Sequence, residues 1–287
     1  MKTFDYHEPA TAAEVCQCLK EFGEGAHVIA GGTDLIIQMK RGRVAPKHLI
    51  SINNIHELNK IEAGPEGIRI GTTVLLSALV DDQDINNDIP MIARAAYTVG
   101  STQVRNLATV GGNICNAAPS ADMAPALVAL DSILTIVGSN GRRELPISDF
   151  FMGPGSVALE HDEILTSIFV PKPQENTRMV YLKHGPRQAM DCSVTGVSLA
   201  LHVDPQTQTC NNVRLVLGAV APTPVRAIQA EQMIDGHRVD EIEFSAVGST
   251  AARESSPISD VRSSAEYRLE MVSVLTVKAL ETLLQGV

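Results

Sequence analysis

The chain has 287 residues, with 23 Lys or Arg against 33 Asp or Glu, and its formal net charge of −10 argues against nucleic acid or an anionic membrane surface as a partner. A hydrophobic content of 44% is ordinary for a soluble globular protein, and the length is sufficient for two domains with separate cores. Because no apolar run approaches the roughly 20 residues that cross a bilayer and no signal-peptide core is present, the sequence predicts a cytoplasmic protein with no membrane partner.

The N-terminal region contains a helix and then a glycine-rich turn. Thr11 and Glu14 form a capping-box pattern, which predicts the start of the helix. A buried strand that ends near Ala30, a turn over residues 31–34 and a helix from Leu35 are predicted next. Strand, glycine turn and helix start together leave backbone amides available to an anion such as a phosphate. The pattern is neither the dinucleotide fingerprint G-x-G-x-x-G nor the P-loop, because no Gly-Lys-Ser/Thr follows.

Short strands and helices alternate over the following segment. Three strands are predicted, over residues 48–52, 58–61 and 67–72. A small α/β unit is expected to end near residue 55, where a second unit begins. Helices are predicted over residues 73–80 and from Pro90, which suits a first helical turn, to about Val99. The acidic stretch between these helices, residues 81–88, predicts a solvated loop.

A second pair of glycines, Gly111 and Gly112, lies between Thr109 and Asn113. Two missing Cβ atoms favour a sharp turn whose exposed amides approach a ligand, and the flanking side chains add donors and acceptors. For a lone Gly-Gly pair a tight turn between buried elements is the usual explanation, and the earlier glycine loop is what favours a ligand. Asp122, just before a predicted helix, supplies either a carboxylate for a ligand hydroxyl or the N-cap of that helix.

The remaining chain predicts a change of architecture after a polar, proline-rich connection. Residues 133–146 predict a β-hairpin, because Asn140-Gly141 supplies the positive φ angles of a type I′ turn. A strand over residues 163–170 ends at Pro171, where the connection begins. Beyond it, antiparallel strands followed by helices indicate an α+β layer. These three strands are predicted over residues 179–183, 194–203 and 213–220. The predicted domains are residues 1–174, with subdomains of about 1–55 and 56–174, and residues 175–287.

The sequence offers no evident catalytic side chain or metal site. The eight histidines lack H-E-x-x-H or paired-ligand spacing, and the five cysteines match neither a disulfide framework nor a C-x-x-C site. Ser and His residues show no arrangement that suggests a triad. Loops that hold a cofactor, without an acid or base beside them, fit a redox carrier in which the cofactor performs the electron chemistry.

The segments Ala-Gly-Gly-Thr-Asp-Leu at residues 30–35 and Thr-Val-Gly-Gly-Asn at residues 109–113 resemble those of the FAD-binding subunit of molybdenum hydroxylases. The likeness begins near Phe4-Asp-Tyr-His-Glu-Pro and extends past Arg-Ala-Ile-Gln-Ala-Glu at residues 226–231, so it covers nearly the whole chain. It implies FAD as the cofactor. It also implies a two-part FAD-binding domain of the vanillyl-alcohol-oxidase/PCMH type, followed by a C-terminal domain with a three-stranded antiparallel sheet and helices.

The resemblance also implies which residues bind FAD. The first loop would wrap the pyrophosphate, with Thr33 adding a hydroxyl, and the second loop would approach the ribityl–diphosphate part. Asp122 would contact the adenosine part and Leu165 the adenine, while Lys183 would add a polar contact from the C-terminal domain. The full set of candidate cofactor-binding residues is Val28, Ile29, Ala30, Gly31, Gly32, Thr33, Asp34, Leu35, Val99, Thr109, Val110, Gly111, Gly112, Asn113, Asp122, Leu165, Lys183, Asp191 and Cys192.

Simpler explanations stand beside several of these assignments. Leu165 and Val99 are residues that a hydrophobic core also contains, and some relatives carry an aromatic residue in place of Val99. Lys183 has the alternative of a solvated lysine at a strand end. Residues 184–192 resemble a loop that passes near the flavin ring, with Asp191 and Cys192 as ring-side candidates, or form a plain surface loop between two strands.

The function implied by the resemblance is that of an oxidoreductase subunit in a heterotrimer of the xanthine dehydrogenase type. Its partners would be a molybdopterin-binding large subunit and a small subunit with [2Fe–2S] clusters, and electrons would leave through FAD to NAD+ or another acceptor. Purine oxidation is favoured over the alternatives, which are carbon monoxide, aldehyde and N-heterocycle dehydrogenases. Two other classes stay open: a non-redox nucleotide-binding module, and a scaffolding subunit whose glycine loops are structural.

Overall fold

The computed structural model describes residues 2–187 and 189–285, and their strands form four sheets. Helices and sheets are mixed along the chain, which confirms the predicted α+β class. Three units follow one another, and buried hydrophobic side chains form a cluster in each. Within the described residues, no helix combines the length and the apolar character that crossing a bilayer requires.

The first unit is a small parallel sheet with two helices. Its strands pair in the order β1-β3-β2. They are β1 (Asp5–His7), β2 (Ala26–Ile29) and β3 (His48–Ser51). Helix α1 (Ala12–Phe22) begins where the Glu14 amide donates to Thr11 Oγ1, and it packs Val15 and Leu19 against the sheet. Helix α2 (Leu35–Lys40) follows the first glycine loop, so that loop connects the end of β2 to a helix.

The second unit is a five-stranded antiparallel sheet covered by helices. Its strand order is β4-β5-β10-β6-β7. These strands are β4 (Ile61–Gly64), β5 (Gly67–Gly71), β6 (Ile133–Gly138), β7 (Gly141–Pro146) and β10 (Ile164–Pro171), with a separate hairpin of β8 (Phe151–Gly153) and β9 (Ser156–Val157). The helices are α3 (Leu76–Asp81), α4 (Gln83–Asp88), α5 (Pro90–Thr98), α6 (Thr102–Arg105), α7 (Val110–Cys115) and α8 (Met123–Ala129). Strand residues such as Ile70 and Ile136 share a core with these helices.

The third unit is an antiparallel sheet between two layers of helices. Its strands, in spatial order, are β11 (Thr177–His184), β12 (Thr195–Val203), β13 (Cys210–Gly218) and β14 (Val225–Arg226). Its helices are α9 (Ile228–Gln232), α10 (Phe244–Arg253) and α11 (Ala265–Leu284). One face, with Val197 and Leu199, packs against α10 and α11, while Tyr181 and Ala200 on the other face join the core of the second unit. The C-terminal sheet therefore packs directly against the second unit and shares its hydrophobic core.

Five sequence expectations are wrong in detail. The strand predicted over residues 58–61 is found at Ile61–Gly64, because Leu58 ends a short 3-10 helix. Residues 81–88 are not a solvated loop: Asp82 caps a short helix, α4, whose Ile85 is fully buried. The helix predicted from residue 73 begins at Leu76. The hairpin of β6 and β7 exists, but neither Ser139 nor Asn140, the two residues between its strands, has a positive φ, so the turn is not type I′. The three predicted C-terminal strands are joined by a fourth, the two-residue β14, at the sheet edge.

Candidate functional site

A cavity of about 580 Å³ lies where the three units meet, a volume typical of small-molecule and cofactor sites. Its lining includes all the predicted site residues except Val110 and Lys183. Val110 is fully buried in the core of the second unit. Lys183 lies behind the cavity wall, where its ammonium has protein partners. Residues far apart in the chain are thus brought to one cavity, as the two glycine segments predicted.

The first glycine loop presents unpaired backbone amides to this cavity. The N–H groups of Gly31, Gly32, Thr33 and Asp34 donate to no oxygen of the described residues. Gly31 has to be glycine, because an added Cβ would overlap the carbonyl oxygen of Leu107, and Gly32 has a left-handed φ of +68°. Residues 31–33 are half-buried and Asp34 is exposed, and all four line the cavity. A row of backbone amides without an acceptor at the start of a helix is suited to bind an anionic group of a ligand.

The second glycine segment is the start of a helix and not a turn. Thr109 caps α7 by accepting from the Gly112 amide at 3.0 Å. The amide of Val110 donates to Val74 O at 3.0 Å and that of Gly111 to Thr72 O at 2.9 Å. The exposed amides predicted at this pair are therefore absent, and the segment offers the cavity the surface of Gly112 and the side chain of Asn113.

A hydrogen bond between two side-chain amides connects the helices that follow the two glycine segments. Gln38 on α2 donates through Nε2 to Asn116 Oδ1 at 3.3 Å, so both sides of the cavity are linked directly. Asn113 Oδ1 is buried and has no hydrogen-bond partner among the described residues. A buried oxygen without a donor is costly, and a ligand with N–H or O–H groups would relieve that cost.

Asp122 is a buried carboxylate of the cavity wall with three hydrogen-bond donors. It is 5% exposed, and its Oδ1 accepts from Tyr181 Oη at 2.7 Å and from Ser193 Oγ at 2.6 Å. Its Oδ2 accepts from Lys183 Nζ at 2.8 Å. Because it makes no capping bond to α8, the alternative role as an N-cap is wrong. Burial and the charge of Asp122 raise the pKa of Tyr181 well above its ordinary value, which keeps the phenol a donor.

The two apolar candidates line the cavity and also belong to a core. Leu165 on β10 is 3% exposed and is a member of the second unit's core. Val99 follows the last residue of α5 and packs against the same core. The core explanation is therefore confirmed for both side chains, and their place in the lining leaves contact with a cofactor as a prediction.

The loop after β11 reaches the cavity at its C-terminal end. Asp191 and Cys192 line the cavity, and the Met190 amide donates to Gly100 O at 3.0 Å. The Asp191 carboxylate points toward its own loop, where Oδ2 accepts from the Arg187 amide at 2.9 Å. Gln188, which the predicted loop includes, lies outside the described residues.

Several lining residues escaped the sequence prediction. Asn116, Ser120 and Ala121 line the cavity, and their small or polar character directly after the second glycine segment was a usable signal. Cys115 also lines it, and burial raises the pKa of its thiol to about 12, so the thiol is protonated at neutral pH. His27 also lines the cavity, but no sequence pattern indicated it, because a histidine in a strand is ordinary. Burial lowers the pKa of its imidazole and keeps it neutral.

Comparison with known proteins identifies the family. Residues 2–173 match the FAD binding domain in molybdopterin dehydrogenase, and residues 180–283 match the CO dehydrogenase flavoprotein C-terminal domain. The chain belongs to the FAD-binding subunits of the molybdenum hydroxylase family. It is 35% identical over 277 residues to the xanthine dehydrogenase FAD-binding subunit of Escherichia coli O157:H7, covering 96% of this chain and 94% of that protein. It is 30% identical to the carbon monoxide dehydrogenase medium chain of Hydrogenophaga pseudoflava, covering 96% of each.

Solved structures agree with this membership. Reconstituted CO dehydrogenase from Oligotropha carboxidovorans superposes with a TM-score of 0.93 at 28% identity, over 98% of this chain and 97% of that one. Quinoline 2-oxidoreductase from Pseudomonas putida 86 gives a TM-score of 0.92 at 27% identity, over 100% and 99%. The predicted fold class is therefore confirmed, apart from the extra strand β14.

The cofactor of this FAD subunit is FAD, and the cavity fits it. Four unpaired amides provide donors suited to the oxygens of a pyrophosphate. The buried Asn113 Oδ1 and the Asp122 carboxylate provide acceptors, and Leu165 adds apolar surface. Donors, acceptors and apolar side chains in one cavity of this size are what a long, amphipathic dinucleotide requires.

Proposed function

We propose that this chain holds FAD along the cavity as the electron-transfer subunit of a molybdopterin-dependent hydroxylase. It receives electrons from [2Fe–2S] clusters of a partner subunit, and the acceptor is NAD+ or another oxidant. The observation that carries the proposal is the row of unpaired amides over residues 31–34 inside the cavity. Bound FAD supplies the electron chemistry, while the lining residues fix its position and exclude water.

Each part of the cavity has a role in this proposal. The amides of residues 31–34 bind the pyrophosphate, and Gly112 with Asn113 forms the opposite wall. Asp122 accepts from a hydroxyl of the cofactor, because a carboxylate with two lone-pair-bearing oxygens has capacity beyond its three protein donors. Leu165 contacts the adenine. Val99, Asp191 and Cys192 are then left for the flavin side.

Purine oxidation is the favoured activity of the complete enzyme. The relative named as a xanthine dehydrogenase subunit is 35% identical, against 30% for the carbon monoxide dehydrogenase chain and 30% for the nicotinate dehydrogenase FAD-subunit of Eubacterium barkeri. The partners are a molybdopterin-binding large subunit and a [2Fe–2S] small subunit. Co-purification of these chains, followed by assays with xanthine, carbon monoxide and an N-heterocycle and with NAD+ as acceptor, tests the assignment.

The cofactor site is tested by filling the cavity. We expect Gly112→Leu to weaken FAD binding at least about tenfold, because the new side chain occupies ligand volume while the helix tolerates leucine. Gly153→Leu is the matched control, since an added Cβ there has open space around it. Binding is measured by titrating apoprotein with FAD and following flavin fluorescence, with circular dichroism to verify folding.

The outcome separates the proposal from its rivals. The site is supported if wild-type protein and Gly153→Leu each carry close to one equivalent of non-covalent FAD and Gly112→Leu does not. A colourless wild-type protein that takes up no FAD, alone or with its partner subunits, would overturn the proposal and favour a scaffold. Equal FAD binding by Gly112→Leu and wild type would place the cofactor elsewhere.

A further inference from the structure

Arg268 of α11 is a charged side chain that the third unit buries at one end of its sheet. Only 3% of the side chain is exposed. Its Nη1 donates to Val194 O at 2.7 Å and to Ala219 O at 3.1 Å, and its Nη2 donates to Asp260 Oδ1 at 3.0 Å. A buried charge is stable only when it is paired and hydrogen-bonded, so these three acceptors determine where the guanidinium lies.

The two carbonyls belong to neighbouring chains at the point where strand pairing ends. β12 begins at Thr195, β13 ends at Gly218, and Gly196 with Gly218 is the last pair of their ladder. Immediately beyond it, Ala219 has a left-handed φ of +64°. Such a backbone conformation is unfavourable for alanine and persists only where the surrounding structure holds it. The planar guanidinium of Arg268 joins the two chains where the ladder no longer does.

Each carbonyl lies next to a hydrogen bond that reaches the cavity wall. The residue before the first carbonyl is Ser193, whose Oγ donates to Asp122 Oδ1 at 2.6 Å. At the second carbonyl, the amide of Ala219 donates to Pro119 O at 2.9 Å. Residues 120–122 line the cavity. The two chains that Arg268 joins are therefore the ones that hold this segment from the third unit.

Helix α8, which follows Asp122, packs on the same end of the sheet. An added Cβ at Gly218 would lie 3.0 Å from Pro125 Cγ of α8, which is closer than ordinary contact. Because packed interiors leave little free space, a displacement of the β13 end is transmitted to the start of α8. The position of Arg268 is thus linked to that of the cavity segment by contacts within the protein.

We propose that Arg268 is a positioning residue, which holds residues 119–122 of the FAD cavity in place from helix α11. Arg268 is not among the described residues that line the cavity, so it acts through Ser193 and Ala219. The inference rests on the proposed placement of FAD in this cavity. It connects α11, which packs on the sheet face directed away from the second unit, to the cofactor site.

The test compares Arg268→Met with two matched variants. Arg262→Met removes the second guanidinium that pairs with Asp260, at an exposed position. Val247→Ala removes apolar volume from α10 in the core of the third unit, and it leaves the hydrogen bonds at the sheet end in place. Urea unfolding of each apoprotein measures its stability, so that effects on the site are compared at known losses of stability.

Two measurements report on the bridge. Hydrogen–deuterium exchange of peptides that contain Ala219 is followed in the apoproteins, and FAD affinity is measured by fluorescence titration. We expect Arg268→Met to speed exchange of the Ala219 amide at least about tenfold, because its bond to Pro119 O is no longer supported. FAD should bind about fivefold more weakly, a smaller loss than that of a direct charged contact, because Asp122 keeps its other donors.

The controls separate positioning from general stability. Arg262→Met should match wild type in both measurements, and Val247→Ala should keep wild-type FAD affinity. Unchanged FAD affinity or unchanged Ala219 exchange in Arg268→Met would overturn the proposal. An equal loss of affinity in Val247→Ala would overturn it as well, because the effect would then belong to the whole core. Wild-type protein without FAD affinity would refute the proposed function, and the exchange measurement would then decide whether Arg268 holds the segment.

A second variant covers the case in which Arg268→Met does not fold, since it deprives two buried carbonyls of their donor. Arg268→Lys keeps the charge, but a single ammonium lacks the planar fork that bridges both carbonyls and Asp260. We therefore expect folded Arg268→Lys to show the same two changes at smaller amplitude. Wild-type exchange and wild-type FAD affinity in Arg268→Lys would show that the charge alone is sufficient, and the bridging role would be wrong.

Discussion

At the residue scale, Gly111 and Gly112 are neighbours with different reasons to be glycine. An added Cβ at Gly111 would overlap the Thr72 side chain, because α7 packs directly on the end of β5. At Gly112 the nearest atom would be Thr109 Oγ1 at 2.9 Å, and the rest of the space belongs to the cavity. One glycine therefore serves the packing of the second unit, and the other leaves room for the cofactor.

A matched pair of alanine variants tests this difference. We expect Gly111→Ala to lower the free energy of unfolding by about 2 kcal/mol or more, as overpacking does when the neighbour is close to backbone. Gly112→Ala should stay within about 1 kcal/mol of wild type, since the helical preference of alanine offsets a slight displacement of Thr109. Urea unfolding of the apoproteins measures both. Similar losses in the two variants would contradict the assigned roles.

The limits of sequence reasoning are clear at Asp122. Its type and position after the second glycine segment marked it as a candidate, and the structure places it in the cavity wall. Its partners Tyr181, Lys183 and Ser193 lie in a different unit, however, and only tertiary packing brings them together. Lys183 was found through the resemblance, but no local pattern shows that its ammonium donates to Asp122.

At the element scale, helix α4 shows how composition can hide structure. Residues 81–88 are mostly acidic or amide side chains, a composition typical of solvated loops. The Ile85 amide nevertheless donates to Asp82 Oδ1 at 2.9 Å, and Ile85 and Ile89 are buried beneath the helix. Two apolar side chains four positions apart, with an N-cap aspartate before them, are sufficient for a short helix supported by tertiary contacts.

Replacing the cap measures what it contributes. Asp82→Ala should lower the free energy of unfolding by about 1 kcal/mol, because the variant loses the cap bond from the Ile85 amide to the Asp82 carboxylate. Asp81→Ala is the control: Asp81 is exposed, and the described residues provide its side chain with no hydrogen-bond partner. Thermal unfolding followed by circular dichroism compares the two. If both variants unfolded at the same temperature, the cap would be unimportant and α4 would depend on burial of the two isoleucines alone.

At the scale of the whole molecule, the site lies where three units meet, and no unit contains it alone. The first unit supplies the amides of residues 31–34, the second supplies Asp122 and Leu165, and the third supplies the segment around Asp191. The glycine segments of the first and second units could be recognised because they are local patterns, whereas the candidates from the third unit came only from the resemblance. The sequence could not predict that the β11–β12 sheet packs on α5 and α8, since that contact depends on the three-dimensional arrangement.

One ion pair of the cavity wall, within the second unit, predicts that stability depends on pH. Glu163 lines the cavity just before β10 and forms a bidentate pair with Arg143 of β7, both N–O distances being 2.7 Å. Hydrogen bonding to Arg143, followed by the amide of Glu160, lowers the pKa of Glu163 below its ordinary value. Its contribution to stability is therefore fully present above the ordinary carboxyl pKa of about 4.3 and is lost as the pH falls through the lowered value.

Glu163→Gln should show this dependence directly. At pH 7 we expect the variant to be about 1–2 kcal/mol less stable than wild type, the value for a charged hydrogen bond reduced because Arg143 is partly exposed. Below about pH 4 the difference should shrink, because protonated Glu163 is then as neutral as glutamine. Urea midpoints from pH 7 to pH 3 measure it, with Glu144→Gln, from an exposed pair with Arg142, as control. A difference that stayed constant with pH would mean that the pair acts through shape and packing, and not through the ionised carboxylate.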